Sequence, residues 1–378
     1  MDDLKLYGRS QSGIESLLST VCIFSSDIAM EFGLDMCAAL IMNRGKIRKT
    51  EGIELPNGSN IKNLEEKEHY KYQSILQADN ITYTEAKRKI GSEYIRRVRK
   101  ILKSKLNGGN TIQAINTWAI PIIRYSAGII DWTQAELETL DVKNRKIMTI
   151  NHALHPCSDV DRLYLPRSSG GRGMLQVYQT VEEEKRGLEK YIKDSEEDAL
   201  KMVNNEKLFN TNETKQAYKK ERVKNRAEKW KNKSLHGQYL HNITGISNIT
   251  TKTWQWLKNG NLKKETEGLI LAAQEQALRT NAIRAKVEKS TTNIKCHLCK
   301  EADETVDHLI SCCKKIAQTD YKQRHDKVAV MIHWNICKKY KLPVAKNWWD
   351  HIVVCMVRFG HTVTDPRTGS VVRMGGGM

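Results

Sequence analysis

Thr82-Tyr83-Thr84-Glu85-Ala86-Lys87-Arg88-Lys89-Ile90-Gly91-Ser92-Glu93-Tyr94-Ile95-Arg96-Arg97-Val98-Arg99-Lys100-Ile101-Leu102-Lys103-Ser104-Lys105 is where the chain changes character. Before it, the pattern is one helix and several short strand-like pieces. From it onward, the pattern is helical. The stretch also holds nine Lys/Arg against two acids, Glu85 and Glu93. A second stretch, 212–234, holds nine basic and three acidic residues. Together they carry thirteen of the 18 excess positive charges of the 378-residue chain. Concentrated basic charge points to a polyanionic partner. The alternative for any one charge run is a solvated helix face.

On the N-terminal side, Gln11 to Phe32 reads as an amphipathic helix: Ile14, Leu17, Leu18, Val21, Cys22, Ile28 and Phe32 recur at helical spacing, with Gly33 as C-cap. Met36 to Met42 is an apolar, strand-like run, and Asn43-Arg44-Gly45 is a turn. Ile53-Glu54-Leu55 leads into the turn Pro56-Asn57-Gly58, and Ile61 resumes extended structure. His69-Tyr70-Lys71-Tyr72 reads as a further strand. On the C-terminal side, helices are expected at 82–106, 110–129 (kinked by Pro121) and 133–151, then at 176–193, 195–205, 212–233 and 263–288. A loop spans His155 to Gly173, with Gly170-Gly171-Arg172-Gly173 near its end; no strand or Lys-Ser/Thr frames that word as a phosphate loop.

No apolar run approaches the ~20 residues of a membrane span, and no basic-then-apolar leader opens the chain. Nine unevenly spaced cysteines fit a reducing compartment, nuclear or cytoplasmic, with some of them binding metal. Cys296-x2-Cys299-x8-His308-x4-Cys313 is a set of four soft ligands at close spacing. Zn²⁺ takes such a set as a closed, structural tetrahedron. Cys312 is adjacent to Cys313 and could serve in its place, which leaves that assignment ambiguous by spacing; His297, inside the Cys-x2-Cys turn, is the poorer candidate.

Met1-Asp2-Asp3 is followed by an alternating run, Leu4 to Gly8. An acidic pair at a hairpin suits Mg²⁺, which takes one or two carboxylates plus substrate phosphates. Read in order, these words resemble the C-terminal part of the Pol polyprotein of non-LTR (type-1) retrotransposons, of the site-specific kind that inserts into ribosomal RNA genes. Met1-Asp2-Asp3 resembles the end of the reverse transcriptase aromatic-x-Asp-Asp motif. Phe24 to Ile28 with Met30 to Gly33 resembles the helix after the catalytic hairpin. Gly52 to Pro56 and His69 to Tyr72 resemble the final palm strands and primer grip. Ala114 to Trp118, Arg124-Tyr125 and Gly128 resemble the thumb. Arg162 to Arg167 with Gly170 to Gly173 resembles a loop typical of the linker, and Leu235 to Gln238, Trp254 to Leu257, Ala272 to Gln274 and Leu278 to Asn281 also resemble family words. Cys296 to Cys313 resembles the family knuckle, and Tyr321 to Asp326 resembles the segment after the knuckle.

The resemblance covers roughly residues 1–350 and implies an α+β N-terminal palm remnant, then a mainly α-helical thumb and linker, then a small zinc knuckle. The implied borders are 1–80 for the palm part, 81–155 for the thumb and 156–290 for the linker. The knuckle with its following helix takes 291–345, and 346–378 is a divergent tail. The implied function is a truncated reverse transcriptase, an RNA-directed DNA polymerase, with RNA template and DNA as partners. Asp2 and Asp3 are its remnant metal ligands, with Mg²⁺ bound only if the polymerase site were completed. The family's other metal-binding carboxylate and fingers have no counterpart, so the isolated chain is expected to be inactive. The primer grip also departs, reading Tyr72-Gln73-Ser74 where the family has Tyr-Leu-Gly, and no nuclease constellation comes after the knuckle. Lys87, Arg88, Arg96, Arg97, Arg99, Lys100, Lys103, Arg324 and His325 are the expected nucleic-acid contacts, and Cys296, Cys299, His308 and Cys313 the zinc ligands. Trp254 and Trp256 offer stacking faces, against the commoner role of such aromatics as core. The alternatives are a non-catalytic RNA/DNA-binding module with a structural zinc knuckle, or a decayed element without function.

Overall fold

The structure, a computed structural model, describes residues 4–31, 33–44, 46–48, 50–64, 68, 70–72, 75–77, 83–198, 200, 202, 214–244, 250–352, 363–364 and 371–372. Asp2 and Asp3 lie outside the described residues, as do His69, Gln73, Ser74 and most of the helix expected at 195–205. The described chain is mostly helical with a few short strands. It forms two compact units, Met1–Ala277 and Leu278–Met378. None of the described helices is long and apolar enough to cross a membrane.

The first unit opens with α1 (Gln11–Asp27), whose N-cap Ser10 hydroxyl accepts the Gly13 amide at 3.2 Å. The helix ends at Asp27 rather than Phe32. Ala29 enters the left-handed region (φ 55°), and the Met30 amide turns back to the Ser25 carbonyl at 2.8 Å. Leu18 packs with Ala39, Ile53, Leu55 and Ile61 in a small core. Six strands pair two by two as antiparallel hairpins: β1 (Met42–Asn43) with β2 (Lys46–Ile47), β3 (Ile53–Glu54) with β4 (Asn60–Ile61), and β5 (Tyr70–Tyr72) with β6 (Ile75–Gln77). The middle turn is the one expected from Pro56-Asn57-Gly58. Of the apolar run Met36 to Met42, only its end is strand; a 3₁₀ turn occupies Leu34–Met36.

The main core is helical. It assembles α2 (Tyr83–Lys103), α3 (Gly108–Ala114), α4 (Ile120–Ser126), α5 (Gln134–Ile150), α6 (Val160–Tyr164) and α7 (Val177–Asp194). Tyr94, Val98, Ile101 and Leu102 of α2 are buried with Ile115, Ile120, Ile123, Leu137 and Met148. Burying each such side chain contributes about 1.5–3 kcal/mol. Between α3 and α4 lies one π turn, Ile115–Ala119, in which the Ile120 amide reaches back to the Ile115 carbonyl. Pro121 supplies no amide, so the widened turn and fresh start of α4 accommodate it where a simple kink was expected. A capping box of Thr133 and Glu136 starts α5. The Asp141 carboxylate on α5 accepts the Val177 and Tyr178 amides at 2.9 and 3.3 Å and so caps α7.

Further along are α8 (Lys215–Lys231), α9 (Gln238–Thr244), α10 (Gln255–Asn259) and α11 (Lys264–Gln274). Trp230, Trp254, Leu257 and Leu271 pack with Leu165 in a third cluster. The loop expected over His155 to Gly173 contains α6 and then doubles back on this cluster. Gly170 adopts φ 83°, and a Cβ there would lie 2.6 Å from the Trp254 ring, so only glycine fits. Arg162 beneath it donates to the Gly170 carbonyl at 2.9 Å and stacks on Trp230, its guanidinium 4.8 Å from the ring centroid.

The helix expected over 263–288 is two helices. Gln276 takes φ 54° after α11, and the Thr280 hydroxyl caps α12 (Asn281–Lys286) at the Ile283 amide. The second unit continues through a cysteine/histidine turn and a π turn at His308–Cys312 to α13 (Lys322–Lys339).

Candidate nucleic-acid interface and metal centre

Arg96, Arg99, Lys100 and Lys103 fall at i, i+3, i+4 and i+7 on α2, which places them on one stripe of its surface. The structure sorts the expected contacts by partner. Lys87 donates to both Glu136 oxygens at 3.0 and 2.8 Å, tying α2 to the start of α5. Arg88 pairs with Glu85 at 2.7 Å, and Arg96 and Arg97 share Glu93 at 2.5 and 2.9 Å. Their hydrogen bonds hold the Glu93 carboxyl down at about 2. Arg97 also donates to the Trp118 carbonyl at 2.8 Å, its guanidinium 4.9 Å from that ring. Arg99, Lys100 and Lys103 are exposed, and among the described residues no carboxylate engages them.

A cleft of about 450 Å³ opens in the same unit. Its walls carry six cations, Arg167, Arg172, Lys219, Arg222, Arg226 and Lys258, and no carboxylate. Between them sit the side-chain amides of Asn110, Gln113, Asn116, Gln176 and Gln179. The cations arrive from loop 165–173, from α8 and from α10. Four are fixed from behind: Arg167 and Arg172 pair with Glu267, Arg222 with Glu183 and Arg226 with Asp161. Lys219 and Lys258 are exposed and have no such partner among the described residues. The basic helix expected at 212–233 therefore contributes three of the six. Arg167, Arg172 and Lys258 were not singled out as contacts by the sequence, because only folding brings their loops to α8. Trp254 is buried at 4% exposure and belongs to the core, not to a stacking surface.

In the second unit, the Cys296, Cys299, His308 and Cys313 donor atoms all lie within 4.8 Å of one another. Cys299 Sγ and His308 Nε2 are 3.3 Å apart. Donors around a zinc-class ion with bonds of 2.0–2.3 Å stand about 3.3–3.8 Å apart, so the set could hold a metal ion. Its scaffold is local. The Cys296 amide donates to the Ala302 carbonyl, and the Lys300 amide to the Cys296 carbonyl, both at 2.9 Å, with Lys300 at φ 60°. Backbone amides of Ala302 and Glu301 aimed at sulphur draw the Cys299 thiol down to about 6, while burial pushes the Cys296 thiol up. The π turn carries His308, and Cys313 comes directly after it. The Tyr321 hydroxyl accepts the Cys313 amide at 3.0 Å and lies 2.9 Å from the Leu309 carbonyl.

This geometry resolves the ambiguity left by spacing: Cys313 is fully buried inside the group, and Cys312 is exposed outside it. His297 instead meets Glu304 at 2.5 Å, and Glu304 also accepts the Asn281 amide at 2.9 Å, joining α12 to the cysteine turn. Arg324 and His325 are exposed at the start of α13, where Arg324 lies over Tyr321 and His325 meets Asp326 at 3.1 Å. No protein-family model matches the chain, and no curated protein matches it.

Proposed function

We propose that the chain is a nucleic-acid-binding protein descended from a non-LTR retrotransposon reverse transcriptase, and that the isolated polypeptide binds RNA or an RNA–DNA duplex without polymerising. The observation that carries this reading is the cleft, whose walls hold four ion-paired arginines, the lysines Lys219 and Lys258 and five side-chain amides. Phosphates supply most of the affinity in such a site, and amides add hydrogen bonds to sugars and bases. The exposed cations Arg99, Lys100 and Lys103 add positive charge on α2. By the ordered family words, the palm part is residues 1–80 and the thumb and linker are 81–290. The cysteine/histidine group is a structural zinc knuckle, its four ligands forming a closed tetrahedron that leaves no position for substrate.

Asp2 and Asp3 are the remnant metal ligands. Phosphoryl transfer rests on positioning and charge neutralisation by metal, and a lone carboxylate pair does not assemble a two-metal site. Two measurements test the proposal. Fluorescence anisotropy with labelled RNA and RNA–DNA duplex should show binding that weakens steeply with salt; salt-insensitive or absent binding overturns the binding reading. Primer extension on an RNA template with Mg²⁺ should give no incorporation; robust incorporation abolished by Asp2→Ala overturns the inactive reading.

A further inference from the structure

His333 and Cys337 sit four residues apart on α13 and so share one face of it. At the end of α13 the chain reverses: Lys341 takes φ 57°, and the Leu342 amide donates to the Cys337 carbonyl at 2.9 Å. The returning segment is held by the Trp334 indole N–H, which donates to the Ala345 carbonyl at 2.9 Å. A 3₁₀ turn, Trp348–Asp350, then delivers His351 onto the same face. His333 Nδ1 lies 2.7 Å from His351 Nε2 and 3.6 Å from Cys337 Sγ, and the two rings stack with centroids 5.0 Å apart. The three donor atoms all lie within 4.8 Å of one another, and Cys337 is buried.

We propose that His333, Cys337 and His351 form a second metal site, separate from the cysteine knuckle and taking a zinc-class divalent ion. The donor set is the argument. Two imidazoles and one thiolate are the borderline-soft ligands that select zinc over Mg²⁺ or Ca²⁺. The Cys337–His333 separation of 3.6 Å already matches the edge of a zinc tetrahedron. The His–His contact need only open from 2.7 Å to about 3.3 Å, which small side-chain rotations supply. A proton between the imidazoles serves one short bond and leaves the sulphur with long contacts to the His333 ring at 3.6 and 3.8 Å, whereas an ion engages all three donors. Water completes the fourth position. The ion staples the returning segment to α13, and this role does not depend on nucleic-acid binding.

The test is metal content of the intact 378-residue chain purified with zinc, read by mass spectrometry of the metal, together with alkylation of Cys337. Wild type should hold two zinc ions per chain. Cys337→Ser and, separately, His351→Gln should each hold one, with unchanged helical circular dichroism. Cys296→Ser with Cys299→Ser should also leave one, and in that variant Cys337 should resist alkylation until a chelator is added. One ion in wild type that disappears with the Cys296/Cys299 substitutions overturns the second site, and so does a content of two in both Cys337→Ser and His351→Gln. One ion in wild type that disappears instead with Cys337→Ser supports the second site and overturns the zinc knuckle.

Discussion

Arg172 and Glu267, 95 positions apart in sequence, form an ion pair whose side chains are 2% and 1% exposed, with Nε and Oε1 3.2 Å apart. Glu267 also takes Arg167, and Arg172 donates to the Ala153 carbonyl. A carboxylate and a guanidinium this deeply buried are tolerated only together, since removing one leaves an uncompensated charge. The pair holds loop 165–173 against α11 and so sets one wall of the basic cleft.

Glu267→Ala should therefore cost about 3–5 kcal/mol of unfolding free energy. Urea denaturation followed by circular dichroism measures it. A loss below ~1 kcal/mol would show that the pair is not buried as described.

Asp141 gives the first unit a pH dependence of defined sign. Burial pushes its carboxyl from the ordinary 3.8 up to about 6, against the helping bonds of the Val177 and Tyr178 amides. Between those values the folded chain binds a proton that the unfolded chain releases. Stability relative to Asp141→Asn should fall as pH rises from 4 to 7, by about 3 kcal/mol, and level off above. Thermal melts of the two proteins across that range provide the measurement, and parallel curves would remove Asp141 as the cause.

Charge removal should act by partner rather than by position. Replacing Arg99, Lys100 and Lys103 with Gln should weaken duplex binding and lower the slope of log affinity against log salt by about 0.9 for each phosphate no longer neutralised. Arg88→Gln, whose charge is already neutralised by Glu85, should change that slope far less. Equal effects from the two sets would refute the sorting drawn from the ion pairs.

Cys313→Ser should abolish metal binding at the knuckle, whereas Cys312→Ser should leave it intact. Metal content by mass spectrometry, read alongside Cys296 and Cys299 alkylation, distinguishes them. The opposite result would place Cys312 in the ligand set.

Much of the local structure was legible in the chain because its causes are local. Apolar spacing marked the helices that became α2, α5 and α7, and Pro56-Asn57-Gly58 marked the β3–β4 turn. Cysteine spacing nominated a ligand set, three of whose members were unambiguous. Helix ends were less legible: Ala29 and Gln276 terminate helices in left-handed conformations that their residue types do not advertise.

The sequence by itself determined a basic, mostly helical protein with a soft-ligand cluster. Charge, periodicity and spacing are properties of neighbouring residues, so they survive without a fold. Only the tertiary structure decided which cations pair across elements, since the meeting of Lys87 with Glu136 and of Arg172 with Glu267 joins distant parts of the chain. It likewise separated Cys313 from Cys312, brought His351 back to His333 and Cys337, and gathered the cleft's cations from a loop and two helices. Each of these is a meeting of residues far apart in the chain, and such meetings exist only once the core has closed.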